Sequence, residues 1–156
     1  MIKANDPKLK SWVEIPSDSD FSIQNIPFGI FKTDSLGPRA ATAIGNKVLD
    51  LSVLQREGYF DGLNLPEEVF SNHVLNDFIG LGKETTRAVR NRISDLLEAG
   101  NEELRSDAKV CDLAFFEQSE VEMCMPVHVP NYTDFYSSEQ HAYNVGCMFR
   151  DPANAL

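Results

Sequence analysis

Four side chains that could do chemistry lie within the twenty residues Asn131–Arg150. They are the carboxylate of Asp134, the phenol of Tyr136, the imidazole of His141 and a guanidinium at the last position. The chain has only 3 histidines, so a histidine close to these other polar groups is a candidate for a chemical role. The set combines an oxygen ligand for a hard metal ion, a proton acceptor and an anion-binding group.

A helix is predicted to begin directly beside these residues. The sequence Ser-Ser-Glu-Gln at Ser137–Gln140 matches a capping box, which predicts a helix start near Ser138. His141 would then lie in the first helical turn, where the positive end of the helix dipole disfavours a cation. We therefore expect a neutral imidazole at pH 7, the form that a general base requires. The alternative from spacing alone is a histidine that is merely packed or solvated.

The other three groups each have two interpretations. Asp134 on the preceding turn could bond to nearby backbone N–H groups, or it could offer one oxygen to Mg²⁺ or Ca²⁺. One carboxylate is not a metal site, because these ions take several oxygen ligands. Tyr136 could hydrogen-bond a substrate or simply pack. Arg150 could bind a substrate carboxylate with its planar fork, or pair with the adjacent Asp151.

The remaining cysteines and histidines form no recognisable pattern. Cys111, Cys124 and Cys147 are widely spaced and include no CxxC motif, which predicts reduced thiols in a cytoplasmic protein. Cys147 would lie on the predicted helix without a cationic neighbour, so we interpret it as structural. His73 and His128 have no companions at metal-ligand spacing and are predicted to be surface or packing residues.

The length and the net charge of the chain limit the classes of function that it can have. A chain of 156 residues with 42% hydrophobic residues can bury a core and is one domain, or one domain plus the start of another. The formal net charge of −10 argues against nucleic acid and anionic membrane surfaces as partners. The polar first ten residues predict no signal peptide, and no window approaches the roughly 20 apolar residues of a spanning helix.

The first part of the chain is predicted to form a small antiparallel meander. Lys3–Asp20 is polar and is interpreted as a loosely held arm. Strands are predicted at Phe28–Thr33, Arg39–Ile44 and Lys47–Leu51, with a two-residue hairpin turn at Gly45-Asn46. Three short strands in a row favour the core of a small barrel. The alternative is a hairpin packed on helices.

The middle of the chain is predicted to be helical. Leu51–Glu57 fits a short helix, and Pro66 fits the first turn of a helix over Glu67–His73. The strongest helical pattern is Lys83–Ala99, with Gly100 at the position of a C′ glycine. Its apolar residues share one face and predict a core contact: Val89, Ile93, Leu96 and Leu97.

A change of character predicts a domain boundary near Glu120–Pro130. Asn101–Lys109 before it is charged and predicted to be solvated, and the prolines within MCMPVHVP restrict the chain to extended shapes. The predicted division is therefore an arm at residues 1–20, a first domain at 21–122, and the beginning of a second domain at 123–156.

Four separate stretches, in the same order, resemble the fumarylacetoacetase family. They are SDFSIQNIPFGIF at Ser19–Phe31, AIGNKVLDLSVL at Ala43–Leu54, LNDFIGLG at Leu75–Gly82 and TDFYSSEQHAYNVGCMFR at Thr133–Arg150. The likeness covers nearly the whole chain except about the first dozen residues. It implies a mixed α+β fold: an N-terminal SH3-like small barrel with helices, followed by the first elements of a β-roll catalytic domain, in a homodimer.

The resemblance also implies a reaction and residue roles. The reaction is hydrolysis of a carbon–carbon bond in 4-fumarylacetoacetate to fumarate and acetoacetate, the last step of tyrosine and phenylalanine catabolism. Asp134 matches the family's first metal-binding aspartate, and His141 matches the histidine that activates water. Tyr136 and Arg150 match substrate-binding positions. The implied cofactor is Mg²⁺ and/or Ca²⁺, with its further ligands beyond residue 156.

Because those further ligands and the partner that orients the histidine come later in the family, we predict that residues 1–156 alone are inactive. A competing hypothesis from another class is a non-catalytic SH3-like module that works by association or regulation. A third is a relative acting on another diketo acid, in which the N-terminal barrel would usually be absent or different.

Overall fold

The computed structural model describes residues 6–156, so residues 1–5 of the predicted arm lie outside the described residues. The described chain is a mixed α+β structure, as predicted. Its strands are β1 (Phe28–Lys32), β2 (Arg39–Ile44), β3 (Lys47–Asp50), β4 (Phe115–Glu117) and β5 (Glu122–Cys124). Its α-helices are α1 (Leu51–Arg56), α2 (Asn76–Gly80), α3 (Gly82–Leu97), α4 (Ala108–Ala114) and α5 (Glu139–Phe149). Short 3-10 turns occur at Val69–Ser71, Gln118–Glu120 and Pro152–Asn154.

The strands form one curled antiparallel sheet in the order β4-β3-β2-β1-β5. The predicted meander of the first three strands is confirmed, and its hairpin turns at Gly45, where φ is +56°. Glycine suits this turn twice over, because it adopts positive φ without strain and because a Cβ here would overlap the carbonyl oxygen of Glu14. The curl brings the rings of Phe31 and Phe116 to a centroid distance of 5.3 Å, although two strands separate their own strands in the sheet.

Each face of the sheet buries apolar side chains. The face that carries the helices holds the larger core, in which Ile30, Ile44 and Leu49 pack with helical residues such as Leu54 and Ile93. A smaller cluster occupies the other face: Phe31, Ala41 and Val48, with Phe116 and Val121 against them. The sheet is therefore a half-barrel with an apolar interior and a helical outer layer.

Asp50 makes the transition from β3 to α1. Its side chain is completely buried, and its Oδ1 accepts hydrogen bonds from the Ser52 backbone N–H at 2.8 Å, the Ser52 hydroxyl at 2.6 Å and the Val53 N–H at 3.2 Å. The Arg39 guanidinium lies 3.6 Å from the other oxygen. The carboxylate thus satisfies the first unpaired N–H groups of the helix, which is why α1 begins directly after the strand.

Helix α3 confirms the strongest helical prediction. All four residues of its predicted apolar stripe, Val89 to Leu97, are fully buried. The predicted end is wrong, however, because the helix stops at Leu97 and Glu98 is extended. The cause is the N-terminal arm. The Trp12 indole N–H donates to the Leu96 carbonyl at 2.9 Å, and the Trp12 backbone N–H donates to Leu97 at 3.2 Å.

The described part of the arm is therefore not loosely held. Ser11 forms a bridge with Glu98, and the Ala99 N–H donates to the Lys10 carbonyl at 2.7 Å. Together with the two Trp12 hydrogen bonds to the Leu96 and Leu97 carbonyls, these contacts occupy groups at the helix end that a glycine C-cap would otherwise pair. Gly100 consequently has no left-handed conformation, and its predicted role as a C′ residue is wrong.

The predicted helix over residues 67–73 is reduced to the single 3-10 turn Val69–Ser71. Glu68 has a positive φ of +54°, which interrupts a right-handed helix at its start. The Phe70 N–H is taken by the side-chain oxygen of Gln55 at 3.2 Å. Burial of Val69 and Phe70 fixes this geometry, so packing overrides the local helical preference.

The charged segment after α3 is only partly solvated. Leu104 is fully buried within it, and Asp107 caps α4 by accepting the Val110 N–H at 3.1 Å. We did not predict α4, nor the short strands β4 and β5 that follow it. As judged by length and apolar character, the helices of residues 6–156 include none that could span a bilayer.

Contacts with the half-barrel continue past residue 122. Strand β5 pairs with β1, and the Leu75 N–H donates to the Pro126 carbonyl at 2.8 Å. The Asn76 side chain makes two hydrogen bonds with the backbone of His128, at 2.9 and 2.8 Å. The chain from residue 129 to 137 then runs exposed and without regular structure to α5. The predicted domain division stays a prediction.

Candidate active site

Helix α5 positions the candidate residues from both of its ends. Ser138 is the N-cap, and its hydroxyl accepts the His141 N–H at 3.2 Å. The predicted helix start is thus confirmed. The reciprocal capping box is not, since the third helical residue is His141 and the Gln140 side chain instead accepts a hydrogen bond from the Ser138 hydroxyl at 3.2 Å.

Tyr136 and His141 are brought together. Their ring centroids are 5.0 Å apart at an interplanar angle of 67°, an edge-to-face contact. Both residues are exposed, so the imidazole is held on one side by the phenol ring and open to solvent elsewhere. An accessible, oriented imidazole of this kind is suited to proton transfer with water or with a bound ligand.

Tyr136 and Arg150 line one groove of about 390 Å³. Its other walls come from α5 and from the last residues of the chain: Ala142, Val145, Gly146, Phe149, Ala155 and Leu156. The groove therefore combines an apolar floor with a phenol and a guanidinium, a lining that suits a small anion with an unsaturated carbon chain. Asp134 and His141 are not among its lining residues.

Arg150 leaves the helix in an extended conformation, with φ −135° and ψ 166°. Its N–H donates to the Gly146 carbonyl at 2.8 Å, which closes the last helical turn. The suggested alternative, pairing with the adjacent Asp151, does not occur in the described structure. That carboxylate instead accepts the Ala153 N–H at 2.9 Å and caps the following 3-10 turn. The guanidinium is exposed and available to a ligand.

Asp134 lies in the exposed loop before α5. Its neighbours Tyr132 and Phe135 are 84% and 80% exposed, so the loop is not packed against the half-barrel. Within residues 6–156 no group of three or more His, Cys, Asp or Glu side chains is placed to hold a metal ion. The carboxylate can supply one hard oxygen ligand, but the described residues do not complete a Mg²⁺ or Ca²⁺ site.

Comparison with known proteins decides the family. The sequence profile described as "Fumarylacetoacetase N-terminal" matches residues 24–126, about two thirds of the chain. The chain belongs to this family. Fumarylacetoacetase from Mus musculus is 43% identical over 147 residues, and that from Arabidopsis thaliana is 41% identical over 150 residues. The Homo sapiens protein of the same name is 41% identical over 147 residues.

These alignments cover 94% to 95% of the chain but only 35% to 36% of each relative. The chain thus spans about a third of the length of the fumarylacetoacetases it matches. The family profile ends at residue 126, before the candidate site, whereas the pairwise alignments are long enough to extend beyond the profile. The profile match therefore concerns the half-barrel and its helices, whereas the pairwise similarity also includes part of the segment that carries the candidate residues.

The pKa shifts near the site involve side chains without a predicted role. A hydrogen bond with the Cys147 thiol raises the pKa of Tyr143, one helical turn away on α5. The phenol at this position is therefore held protonated.

Sequence reasoning missed Gly146 and Ala155, which form one wall of the groove. The available signal was a glycine inside a predicted helix, where alanine would normally be the better residue. Its partner nine positions later carries no signal of its own, because a contact between a helix and a returning turn is tertiary.

Proposed function

We propose that the chain is the N-terminal portion of a hydrolase that cleaves 4-fumarylacetoacetate to fumarate and acetoacetate. The observation that carries this proposal is the similarity to fumarylacetoacetases along 94% to 95% of the chain. The grouping of Tyr136, His141 and Arg150 around one helix supports it. The proposed setting is the last step of tyrosine and phenylalanine catabolism, in the cytoplasm.

In the proposed reaction His141 acts as the general base. Its neutral imidazole accepts a proton from water, and the oxygen of that water adds to the ketone carbon next to the fumaryl double bond. The bond from this carbon to the adjacent CH₂ then breaks, and its electron pair leaves with acetoacetate as an enolate, which takes up a proton. The water oxygen stays with fumarate, so atoms and electrons balance.

Tyr136 and Arg150 are proposed to hold the substrate. The planar guanidinium suits a bidentate contact with a substrate carboxylate, and the phenol can hydrogen-bond a substrate oxygen. Both residues line one groove, which supports the proposal that they contact the same ligand. Fixing the substrate in this way lowers the entropic part of the barrier, because the reacting carbon is already positioned near the base.

We further propose that Asp134 contributes one oxygen to a Mg²⁺ or Ca²⁺ ion when the remaining two thirds of the protein, as found in the relatives, is present. Such an ion would polarise the diketone as a Lewis acid. No step above depends on it, because the described residues do not complete its coordination. The full-length protein is proposed to be a homodimer, and residues 1–156 alone are proposed to be inactive.

A divalent-ion titration of the full-length protein tests this proposal. Substrate cleavage is followed as Mg²⁺ or Ca²⁺ is added, for the native protein and for Asp134→Ala. We expect the ion concentration for half-maximal activity to be about 10-fold higher or more in the variant than in the native protein, since a lost ligand weakens metal binding. Asp112→Ala, at a solvent-exposed carboxylate of α4, is the matched control. Equal titration curves for native protein and Asp134→Ala would refute the metal role.

The alternative of a non-catalytic association module has its own test. An open reading frame that continues beyond codon 156 with further Glu and Asp residues supports the hydrolase. A stop codon in the natural gene at that point supports the module instead.

A further inference from the structure

Gly146 lies inside α5, and the backbone of Ala155 occupies the space that a side chain at this position would take. A Cβ on residue 146 would overlap the Ala155 carbonyl oxygen and would lie 2.7 Å from the carbonyl carbon and 3.0 Å from the Cα. These obstructing atoms are backbone atoms, which cannot swing away as the end of a side chain can. Ala155 is 4% exposed, although every residue from 148 to 154 is exposed.

Residues 150–155, which follow the end of α5, form a closed loop. Its first residue, Arg150, donates its N–H to the Gly146 carbonyl at 2.8 Å. Asp151 then reverses the chain, because its carboxylate accepts the Ala153 N–H at 2.9 Å and its carbonyl accepts the Asn154 N–H at 2.8 Å. The loop ends with Ala155 seated on the helix. Both ends of the loop are therefore fixed on a single glycine.

We propose that Gly146 is a positioning residue for Arg150. Its carbonyl fixes the amide from which the arginine side chain departs, and its missing side chain lets residues 151–155 pack on α5 and form a wall of the groove. With that wall displaced, the guanidinium would no longer face the same groove as Tyr136. The consequence for substrate binding rests on the proposed function, whereas the packing of Ala155 does not.

Gly146→Ala is expected to stabilise the helix itself and to destabilise the packing of the loop on it. Alanine is the better helix former, so the substitution alone favours α5. The close backbone contact opposes it, since the new methyl group occupies the place of the Ala155 carbonyl. A matched control exists in α2, where a Cβ added to Gly80 would meet no atom within 4 Å.

The first experiment measures the packing in the 156-residue chain. Ala155→Cys places a thiol at the buried position, and its rate of alkylation is followed by peptide mass spectrometry. Adding Gly146→Ala is expected to raise this rate about tenfold, because the loop then opens more often. Adding Gly80→Ala should leave it within about twofold. The half-buried Cys111 thiol of the half-barrel reports on global folding, and its rate should not change.

The second experiment measures the consequence in the full-length protein. Gly146→Ala is expected to raise KM for fumarylacetoacetate about tenfold with kcat within about threefold, because a displaced arginine loses binding in ground and transition states alike. An unchanged alkylation rate, or a faster rate with unchanged KM, would overturn the positioning role. If the native full-length protein cleaves no substrate, the proposed function fails and the role in substrate binding with it, while alkylation still decides the packing.

Discussion

Asp50 and Asp134 are carboxylates in opposite situations. The first is completely buried and accepts three hydrogen bonds, beside the Arg39 guanidinium, whereas the second is exposed in a loop. A buried carboxylate needs hydrogen bonds or a compensating charge, and Asp50 obtains the bonds at Oδ1 and faces the Arg39 charge at Oδ2, so it is committed to structure. An exposed carboxylate has no such commitment and is free to bind a ligand. Burial therefore distinguishes Asp50, a structural carboxylate, from Asp134, the candidate metal ligand.

Asp50→Ala is therefore expected to destabilise the chain strongly. The variant loses the N-cap of α1 and leaves the buried Ser52 hydroxyl without its acceptor, which together should cost about 2–4 kcal/mol of the free energy of unfolding. Urea denaturation followed by circular dichroism measures this. The control Asp18→Ala, at an exposed position, should change the value by less than about 0.5 kcal/mol. Similar values for the two variants would contradict the capping role.

Tyr59 gives the half-barrel a pH dependence in the alkaline range. Burial, followed by its hydrogen bond to Asp107 at 3.1 Å, raises the pKa of Tyr59 to about 12. The unfolded chain binds this proton less tightly, with a pKa of about 10. The contribution of the phenol to stability is thus complete below about pH 10 and declines as the pH rises toward 12.

In Tyr59→Phe this decline should be smaller, because the variant has no phenolic proton to lose. The free energy of unfolding in urea, measured at intervals between about pH 8 and pH 11, should fall less steeply for the variant than for the native chain. Tyr132→Phe, at an 84% exposed tyrosine, serves as the control and should follow the native curve. If the free energy of unfolding fell equally steeply with pH for the native chain and for Tyr59→Phe, the raised pKa of Tyr59 would be contradicted.

Single residues differ in how far the sequence reveals them. The chemical types and spacing of Tyr136, His141 and Arg150 named them as candidates but left a packing or solvated role open for each, and only the resemblance to the family implied their roles. Their mutual geometry was not predictable from the sequence, and neither was the contact between Gly146 and Ala155. Each of these depends on a turn that returns the chain to its own helix, and turns of this kind are set by local capping and packing together.

Helices α3 and α5 differ in what supports them. Val89 and Ile93 of α3 are fully buried, whereas α5 has no buried residue along its described length, and its Met148 and Phe149 are 77% and 82% exposed. A helix of 11 residues has little stability without tertiary support. The described residues therefore give α5 little of the apolar support that α3 receives.

Hydrogen exchange should therefore separate the two helices in the 156-residue chain. We expect the amides of Ser138–Arg150 to exchange faster than those of α3 by about 100-fold or more, since they open without global unfolding. Mass spectrometry after proteolysis resolves the two segments. If the amides of α5 and α3 were equally protected, α5 would be stabilised by the half-barrel, and the prediction drawn from its exposed side chains would be wrong.

Element types were more predictable than element ends. The three strands of the meander and the core face of α3 followed from their hydrophobic patterns, because those patterns record which face is buried. The end of α3 was missed because Trp12, more than eighty residues earlier, supplies the hydrogen bonds that stop it. Strands β4 and β5 were missed because three residues are too few to show an alternating pattern.

The described chain combines a half-barrel that has its own buried core with an exposed segment that carries the candidate residues. The half-barrel has its own buried core, with hydrogen-bonded contacts as far as His128. The candidate residues lie on the segment that follows, which contributes none of its own side chains to that core. This division agrees with a chain that spans about a third of its relatives, and it is the basis for proposing that catalysis requires the rest.

His141 is proposed to be the base that activates water for cleavage of fumarylacetoacetate. The most direct measurement is kcat for this substrate in the full-length protein, compared between the native form and His141→Gln, with His73→Gln at an exposed histidine as control. We predict that His141→Gln lowers kcat by about 10²–10⁴-fold while the control stays within about twofold of native. A value of kcat for His141→Gln as high as that of the control would contradict the role of His141 as the base.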